Sequence, residues 1–302
     1  MRILITGANG LLGQKLIALL QMQADVHTIA TARGPLRLAG TFDRFDYAEL
    51  DITIQNDVEA AMAKWQPDVV VNTAAMTQVD QCETDKEACR ALNVDAVQYL
   101  ADACAAHNAQ LIHLGTDFIF DGLAGPYSET DEPNPLSFYG QSKLDADKIL
   151  MQSKGKWAIA RTILVYGLAA DMSRSNIILW VKSSLEAGKK IQVVNDQFRT
   201  PTLAEDLAMG CWLIAKHGAQ GIYNIGGPEL LTPYEMAMQT AEYFGLDASL
   251  IEMTDGSKFS QPAKRPARTG LVIEKARKEL GYAPKTFKEG MALLAGQMLA
   301  KQ

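Results

Sequence analysis

The stretch that most constrains this chain lies at its beginning. Ile3, Leu4 and Ile5 form a short apolar run, and Gly7, Gly10 and Gly13 follow at three-residue spacing. A helical stretch, 11–21, comes next. A strand, a glycine turn and a helix in that order open a dinucleotide-binding unit. The first glycine permits the tight turn, the second lets the backbone approach a pyrophosphate, and the third lets helix and strand pack closely. The free N–H groups and the helix dipole then attract the anion. Gly7, Asn9, Gly10, Leu11, Leu12 and Gly13 are therefore the expected contacts to a dinucleotide. The alternative is a structural turn with no ligand.

The rest of the N-terminal half repeats the theme. Runs of strand length at 26–31, 68–73, 110–115 and 157–161 alternate with helical stretches at 56–65, 86–107 and 138–151. Several runs are apolar at consecutive positions, which suits strands covered on both faces of a parallel sheet. The expected fold is α/β, a doubly wound parallel sheet of the Rossmann kind, with a smaller C-terminal α/β substrate domain. The dinucleotide-binding domain is expected at 1–165, with 203–225 returning to it, and the substrate domain in the remainder of 166–302. After residue 166 the rhythm loosens. Stretches 171–175, 226–232 and 254–270 are rich in loop formers, and helices are expected at 233–244 and 285–300.

Bulk properties narrow the function. Of 302 residues 48% are apolar, and the net charge is −6 with no basic block. That argues against a nucleic-acid surface. No apolar run reaches the length of a membrane span, and no secretory leader is visible. Cys82, Cys89, Cys104 and Cys211 have no metal-ligand or disulfide spacing. His27, His107, His113 and His217 are scattered and are expected to be structural or exposed. A cytoplasmic protein without a metal site is the expectation.

The second strand bears on cofactor choice. NAD binders usually end it with an acid for the ribose hydroxyls, whereas an arginine accommodates the NADP phosphate. Here it ends Ala30-Thr31-Ala32-Arg33-Gly34. NADPH is the expected cofactor, with NADH the alternative, and Arg33 is the expected phosphate partner unless it is only a solvated loop cation. Asp51, beside Ile52, could take a hydrogen bond from the adenine amine or cap the following helix.

Tyr139 and Lys143 are spaced i, i+4, so they share one helix face. A phenol is a poor acid–base at neutral pH, and a neighbouring ammonium lowers its pKa. Such a pair can exchange a proton with a carbonyl or alcohol oxygen while hydride moves to or from a nicotinamide. Thr116 ends the preceding strand, on the side where ligands bind in parallel sheets. It could hold the substrate oxygen beside Tyr139, or merely cap the strand end. Asn93 could bond a strand backbone or relay a proton through water, and the structural role is preferred.

With these residues the chain resembles the extended short-chain dehydrogenase/reductases, and within them the dTDP-4-dehydrorhamnose reductases. The resemblance rests on the glycine turn, Asn72-Thr73-Ala74-Ala75 running on through Thr77, Val79, Asp80 and Glu83, and Thr116-Asp117-Phe118. It rests also on Pro135-Leu136-Ser137-Phe138-Tyr139-Gly140, Arg161-Thr162, Asn195-Asp196-Gln197, Pro201-Thr202 and Arg265-Pro266. It implies NAD(P)H-dependent reduction of a 4-keto group on a nucleotide-linked 6-deoxysugar. By resemblance Tyr139 is the proton donor, Lys143 lowers its pKa and holds the nicotinamide ribose, and Thr116 binds the keto oxygen. Ala74, Ala75 and Thr77 would line the cofactor, and Val79, Asp117 and Phe118 the sugar. A homodimer is also a family inference. Two departures stand out: Gly115 replaces the usual Ser before the Thr-Asp pair, and Leu164 replaces a Trp at the sugar end.

Alternatives remain open. Phe118 sits where related dehydratases place a Glu, so that reaction lacks its base. Another nucleotide-sugar reductase or a 4-epimerase is compatible with the same fold. So is a non-catalytic dinucleotide-binding subunit like the regulatory subunit of methionine adenosyltransferase. Arg199, Lys264, Arg265 and Arg268 are candidates for a substrate diphosphate, with a solvated surface cluster as the alternative.

Overall fold

The computed structural model describes residues 1–38, 44–170, 176–258 and 261–300. The loop-rich stretch 171–175 lies outside the described residues, as do 259–260 of the stretch 254–270. A seven-stranded sheet forms the centre. Its strands are β1 (Arg2–Thr6), β2 (His27–Ala32), β3 (Phe45–Glu49), β4 (Val69–Asn72), β5 (Gln110–Thr116), β6 (Lys156–Thr162) and β10 (Gly221–Asn224). Every pairing is parallel, in the order β10-β6-β5-β4-β1-β2-β3. The order reverses between β1 and β4, which is the switch point where ligands bind in such sheets.

Period-2 alternation explains the two cores. Ile3 and Ile5 of β1 enter one apolar cluster, and Leu4 enters the other. The first cluster joins the sheet to α1 (Leu11–Leu20) and α8 (Ala204–His217), through Leu16, Ile17, Leu207 and Ile214. The second joins it to α2 (Gln55–Trp65), α5 (Ala96–Ala106) and α6 (Phe138–Gln152), through Val58, Leu100 and Leu150. Both faces of the sheet are covered, so the continuous apolar runs are required. Segment 204–224 adds α8 and β10 to this layer.

The remaining elements form a smaller layer. These are β7 (Val165–Tyr166) paired with β9 (Thr202–Leu203), β8 (Ile191–Val194) paired with β11 (Ile251–Thr254), and the helices α7 (Ile177–Glu186), α9 (Pro233–Phe244) and α11 (Phe287–Leu299), whereas α10 (Glu274–Leu280) buries Ala276 and Leu280 in the first sheet cluster. Capping boxes Thr232/Glu235 and Thr286/Glu289 start α9 and α11.

One strand goes unannounced by the sequence, and one expectation changes. Residues 45–49 form a full edge strand, which the polar sequence Phe-Asp-Tyr-Ala-Glu conceals. The stretch 86–107 is not one α-helix: α4 (Lys86–Arg90) passes through a π-helical turn, Ala91–Asp95, into α5. The wider turn carries Asn93, whose side chain bonds the Met76 backbone at 2.8 Å and 3.0 Å and the Ser142 hydroxyl at 3.2 Å. The bulge thus reaches the loop after β4.

Candidate active site

A cleft of about 880 Å³ opens over the carboxyl ends of the strands at the switch point. Gly7, at φ +68°, turns the chain at the end of β1. A Cβ on Gly7 would lie 2.8 Å from Thr73 Oγ1, and one on Gly13 would lie 2.6 Å from the Gly7 carbonyl oxygen. Gly13 is therefore inside the turn and does not line the cleft, whereas Gly7, Asn9, Gly10, Leu11 and Leu12 do. Gly10 caps α1 with no side-chain hydrogen bond, and the first turn holds no acid. Its leading N–H groups are left for an anion, so the residues present fit a pyrophosphate.

Arg33, Arg37, Asp51 and Ile52 close the far end of the cleft. Asn9 ties the turn to this end: its Nδ2 donates to Pro35 O at 3.0 Å, and its Oδ1 accepts from the Arg37 amide at 2.8 Å. Asp51 Oδ1 accepts from the Thr53 amide at 3.0 Å and hydroxyl at 2.7 Å. Burial alone would raise the Asp51 carboxyl. The Thr53 bonds and the Arg33 charge outweigh it and hold the group below its ordinary value.

Ala74, Ala75, Thr77 and Val79 line the middle of the cleft, and Thr116, Asp117, Phe118, Tyr139 and Lys143 line its inner end. Ser137 starts α6 by accepting from the Gly140 amide at 3.2 Å, which sets Tyr139 and Lys143 on its first two turns. Tyr139 meets Phe118 edge-on, with centroids 5.6 Å apart. Burial pushes the phenol up, and Thr116 only partly offsets it. The Lys143 amine lies at hydrogen-bond distance from His113 Nε2, at 2.7 Å. Burial pushes Lys143 itself down to about 8, and Asp147, one turn further along α6, opposes that. A buried, protonated phenol is the form that a proton donor requires.

The expected sugar side is mixed. Asp117 is buried, accepting from Thr269 Oγ1 at 2.5 Å and lying 3.9 Å from Arg199 Nε. Burial raises its carboxyl, and the Arg199 charge works against that. Arg199 lines the cleft, but its guanidinium is committed inward. It donates to the carbonyls of Phe198, Ala267 and Pro266 at 2.8, 3.0 and 2.6 Å, and to Gln197 at 3.5 Å. Both Nη groups thus donate to protein acceptors, and Nε lies at ion-pair distance from Asp117. Arg265 does not reach the cleft wall. It makes an ion pair with Asp80 at 2.8 Å, beside Val79. Arg268 stacks on Phe198 and donates to Gly125 O at 2.9 Å. The structure therefore gives these arginines internal partners where the sequence suggested a diphosphate.

Both departures from the family pattern have local geometry. A Cβ on Gly115 would lie 2.8 Å from Ile159 Cγ2, so a Ser there requires Ile159 on β6 to shift. Leu164 lines the cleft at φ +39° and is 41% exposed. Sequence reading missed Arg37 and the partnership of His113. The second arginine four residues after Arg33 was a usable signal. For His113 the signal was a titratable group inside a doubly covered strand, which must find a partner. All four cysteines are free and buried. Among the described residues no cluster could hold a metal ion, and no helix is long and apolar enough to cross a membrane.

A parallel sheet with a glycine turn at its switch point, and a Tyr-x-x-x-Lys pair in the same cleft, defines an extended short-chain dehydrogenase/reductase. The family model described as RmlD substrate binding domain matches residues 1–299, and the chain belongs to that family. It is similar to a probable low-salt glycan biosynthesis reductase, Agl14, of Haloferax volcanii, at 33% identity over 292 residues and 96% of each chain. A dTDP-4-dehydrorhamnose reductase of Aggregatibacter actinomycetemcomitans is 31% identical, covering 96% of this chain and 97% of the relative. The mouse methionine adenosyltransferase 2 subunit beta is 32% identical, over 96% of this chain and 86% of the relative. Among solved structures, a dTDP-4-dehydrorhamnose reductase from Clostridium acetobutylicum superposes with a TM-score of 0.87 at 27% identity. It covers 99% of this chain and all of that one.

Proposed function

We propose that the protein is an NADPH-preferring reductase of a 4-keto group on a nucleotide-linked 6-deoxysugar, of the dTDP-4-dehydrorhamnose reductase type. One observation carries the reading: Thr116, Tyr139 and Lys143 line the same cleft as the uncapped glycine turn. Relatives that bear reductase names support it.

Gly7, Asn9, Gly10, Leu11 and Leu12 would hold the pyrophosphate, Arg33 the 2′-phosphate, and Asp51 and Ile52 the adenine end. Ala74, Ala75 and Thr77 would line the nicotinamide half, and Val79, Asp117 and Phe118 the sugar. A bound nicotinamide supplies a hydride to the carbonyl carbon. The Thr116 hydroxyl orients the keto oxygen toward Tyr139. The Tyr139 phenol, kept protonated by burial, gives that oxygen its proton as charge develops on it. Lys143 lies one helical turn away to restore the charge balance. Phe118 offers no base, so elimination chemistry is disfavoured. On this reading the protein works in the cytoplasm, as a homodimer.

The test is oxidation of NADPH with a panel of nucleotide-linked 4-keto-6-deoxysugars. Turnover with at least one is expected. A second reading has its own support, because relatives named as a regulatory beta subunit match over nearly the same span. NADPH binding with no turnover across the panel would favour that reading and refute the reductase.

A further inference from the structure

We propose that His113 is a positioning residue for Lys143, directing its amine through a hydrogen-bonded chain that reaches the glycine turn. The inference rests on the reductase reading, which needs Lys143 beside Tyr139. His113 is 1% exposed on β5. Its Nε2 lies 2.7 Å from Lys143 Nζ, and its Nδ1 lies 3.1 Å from the Asn72 amide nitrogen. Asn72 Oδ1 in turn accepts from Thr6 Oγ1 at 2.6 Å. Register explains the row: Thr6 pairs with Asn72, and Asn72 with His113, across β1, β4 and β5. Thr6 directly precedes Gly7.

A neutral imidazole has one N–H and one acceptor nitrogen. With Thr6 donating to Asn72, and Asn72 donating to Nδ1, the ring proton sits on Nε2 and faces an unprotonated Lys143. An ammonium at Lys143 requires the opposite direction. It donates to Nε2, the ring proton sits on Nδ1, and the Asn72 amide turns over to accept it and donate to Thr6. One proton is added at Lys143, and the ring's own proton changes nitrogen. Burial and the Lys143 charge keep His113 itself far from protonation, so the ring stays neutral in both directions.

Other groups around Lys143 are Tyr139 and Asp147 on α6, Cys89 on α4, and Arg161 on β6, which lies 3.7 Å from Asp147. Asp147 and Cys89 favour the ammonium, and burial opposes it. An acceptor at hydrogen-bond distance favours the charged form further. Loss of that acceptor lowers the pH at which Lys143 gives up its proton.

The test has two arms. In the full-length wild type, ¹⁵N-histidine NMR is followed from about pH 6 to about pH 10, a range that spans lysine titration when burial depresses it. The His113 ring proton is expected to move from Nδ1 to Nε2, and the change is expected to vanish in Lys143→Met. One tautomer throughout would overturn the proposal. In kinetics, His113→Leu is expected to lose at least about 10-fold in kcat, with the basic limb of the pH profile moved down by about one unit. His113→Gln, which retains an acceptor, is expected to restore most of both. A basic limb in His113→Leu that coincides with wild type would also overturn it, because a merely structural histidine lowers Tm without moving the limb. The NMR arm needs no substrate. A wild type that reduces no keto sugar, yet shows the tautomer change, refutes the reductase reading and leaves the positioning role standing.

Discussion

Arg265 and Asp80 form a two-pronged ion pair, with Nη2 at 2.8 Å and Nη1 at 3.2 Å from the two carboxylate oxygens. The Asp80 carboxyl is held below its ordinary value by that bond first, with burial opposing it. The pair fastens the segment around residue 265 to α3 (Val79–Thr84), whose first residue lines the cleft. Both partners are partly exposed, so the pair is worth only about 0.2–1 kcal/mol in stability. Its expected effect is on substrate binding. Arg265→Ala should raise KM for the nucleotide sugar more than KM for NADPH, and Asp80→Asn should do the same. A double-mutant cycle measured on KM should be strongly non-additive. Additive effects, with Asp80→Asn silent, would show that Arg265 acts on the substrate directly.

Tyr139→Phe removes one hydroxyl and leaves the ring against Phe118. Loss of a positioned proton donor is expected to reduce kcat by about 10²–10⁴-fold. NADPH affinity and Tm should stay near wild type. Single-turnover kinetics with fluorescence titration of NADPH checks both. A kcat within a few-fold of wild type would remove Tyr139 from the chemistry.

The parts of this molecule that were legible in the sequence are those governed by short-range geometry. Gly7, Gly10 and Gly13 declare a turn because their spacing is local, and Tyr139 and Lys143 share a face because i, i+4 is local. Consecutive apolar residues announced the covered strands, and hence the parallel sheet. The illegible parts depend on distant partners. Arg265 meets a residue 185 positions away, so nothing near it shows that its charge is already engaged. His113 acquires Asn72 from the register of β4 and β5 and Lys143 from the packing of α6. The edge strand 45–49 is half solvated and carries no apolar run.

Gly13 and Gly10 should separate stability from cofactor binding. A Cβ on Gly13 meets backbone at 2.6 Å and 2.7 Å, whereas one on Gly10, which lines the cleft, meets only the Gly7 carbonyl oxygen, at 3.2 Å. Gly13→Ala is expected to cost about 1–3 kcal/mol through overpacking. Gly10→Ala is expected to cost less than about 1 kcal/mol, yet to weaken NADPH by at least about 10-fold, because it fills the space where a pyrophosphate approaches. Thermal unfolding and NADPH titration of the two variants give the comparison. Equal losses of Tm in both would contradict it.

Lys143 makes stability depend on pH in an unusual direction. Its folded pKa, about 8, lies below the ordinary lysine value of 10.5. Below about pH 8 both states carry the charge, and folding bears the full desolvation cost. Between the two values the unfolded chain holds more protons than the folded one, so stability rises with pH. At about 1.4 kcal/mol per unit, the rise is about 3 kcal/mol. Chemical denaturation of wild type and Lys143→Met across this window should show the rise as a difference between them. It should be confined to the range from about pH 8 to about pH 10.5. Parallel curves would mean that Lys143 titrates normally.

On the proposed reading Arg33 is the residue expected to set the cofactor preference. It stands exposed at the end of β2, lines the cleft, and acts on Asp51 across it. The strand offers no acid to hold a ribose 2′-hydroxyl, while a guanidinium suits a 2′-phosphate. A charge-assisted bond of that kind is worth about 1.5–3 kcal/mol, which is about 10–100-fold in affinity. Arg33→Ala should therefore raise Kd for NADPH by about that factor and leave Kd for NADH within about 2-fold. Arg37, four residues on along the same wall, should make up part of the remaining preference, and Arg33→Ala/Arg37→Ala should bind the two cofactors about equally. Titration of both cofactors against the three proteins decides the matter. A wild type that prefers NADH, or an Arg33→Ala variant that weakens both cofactors alike, would assign Arg33 to general electrostatics and leave the 2′-phosphate without a partner at this position.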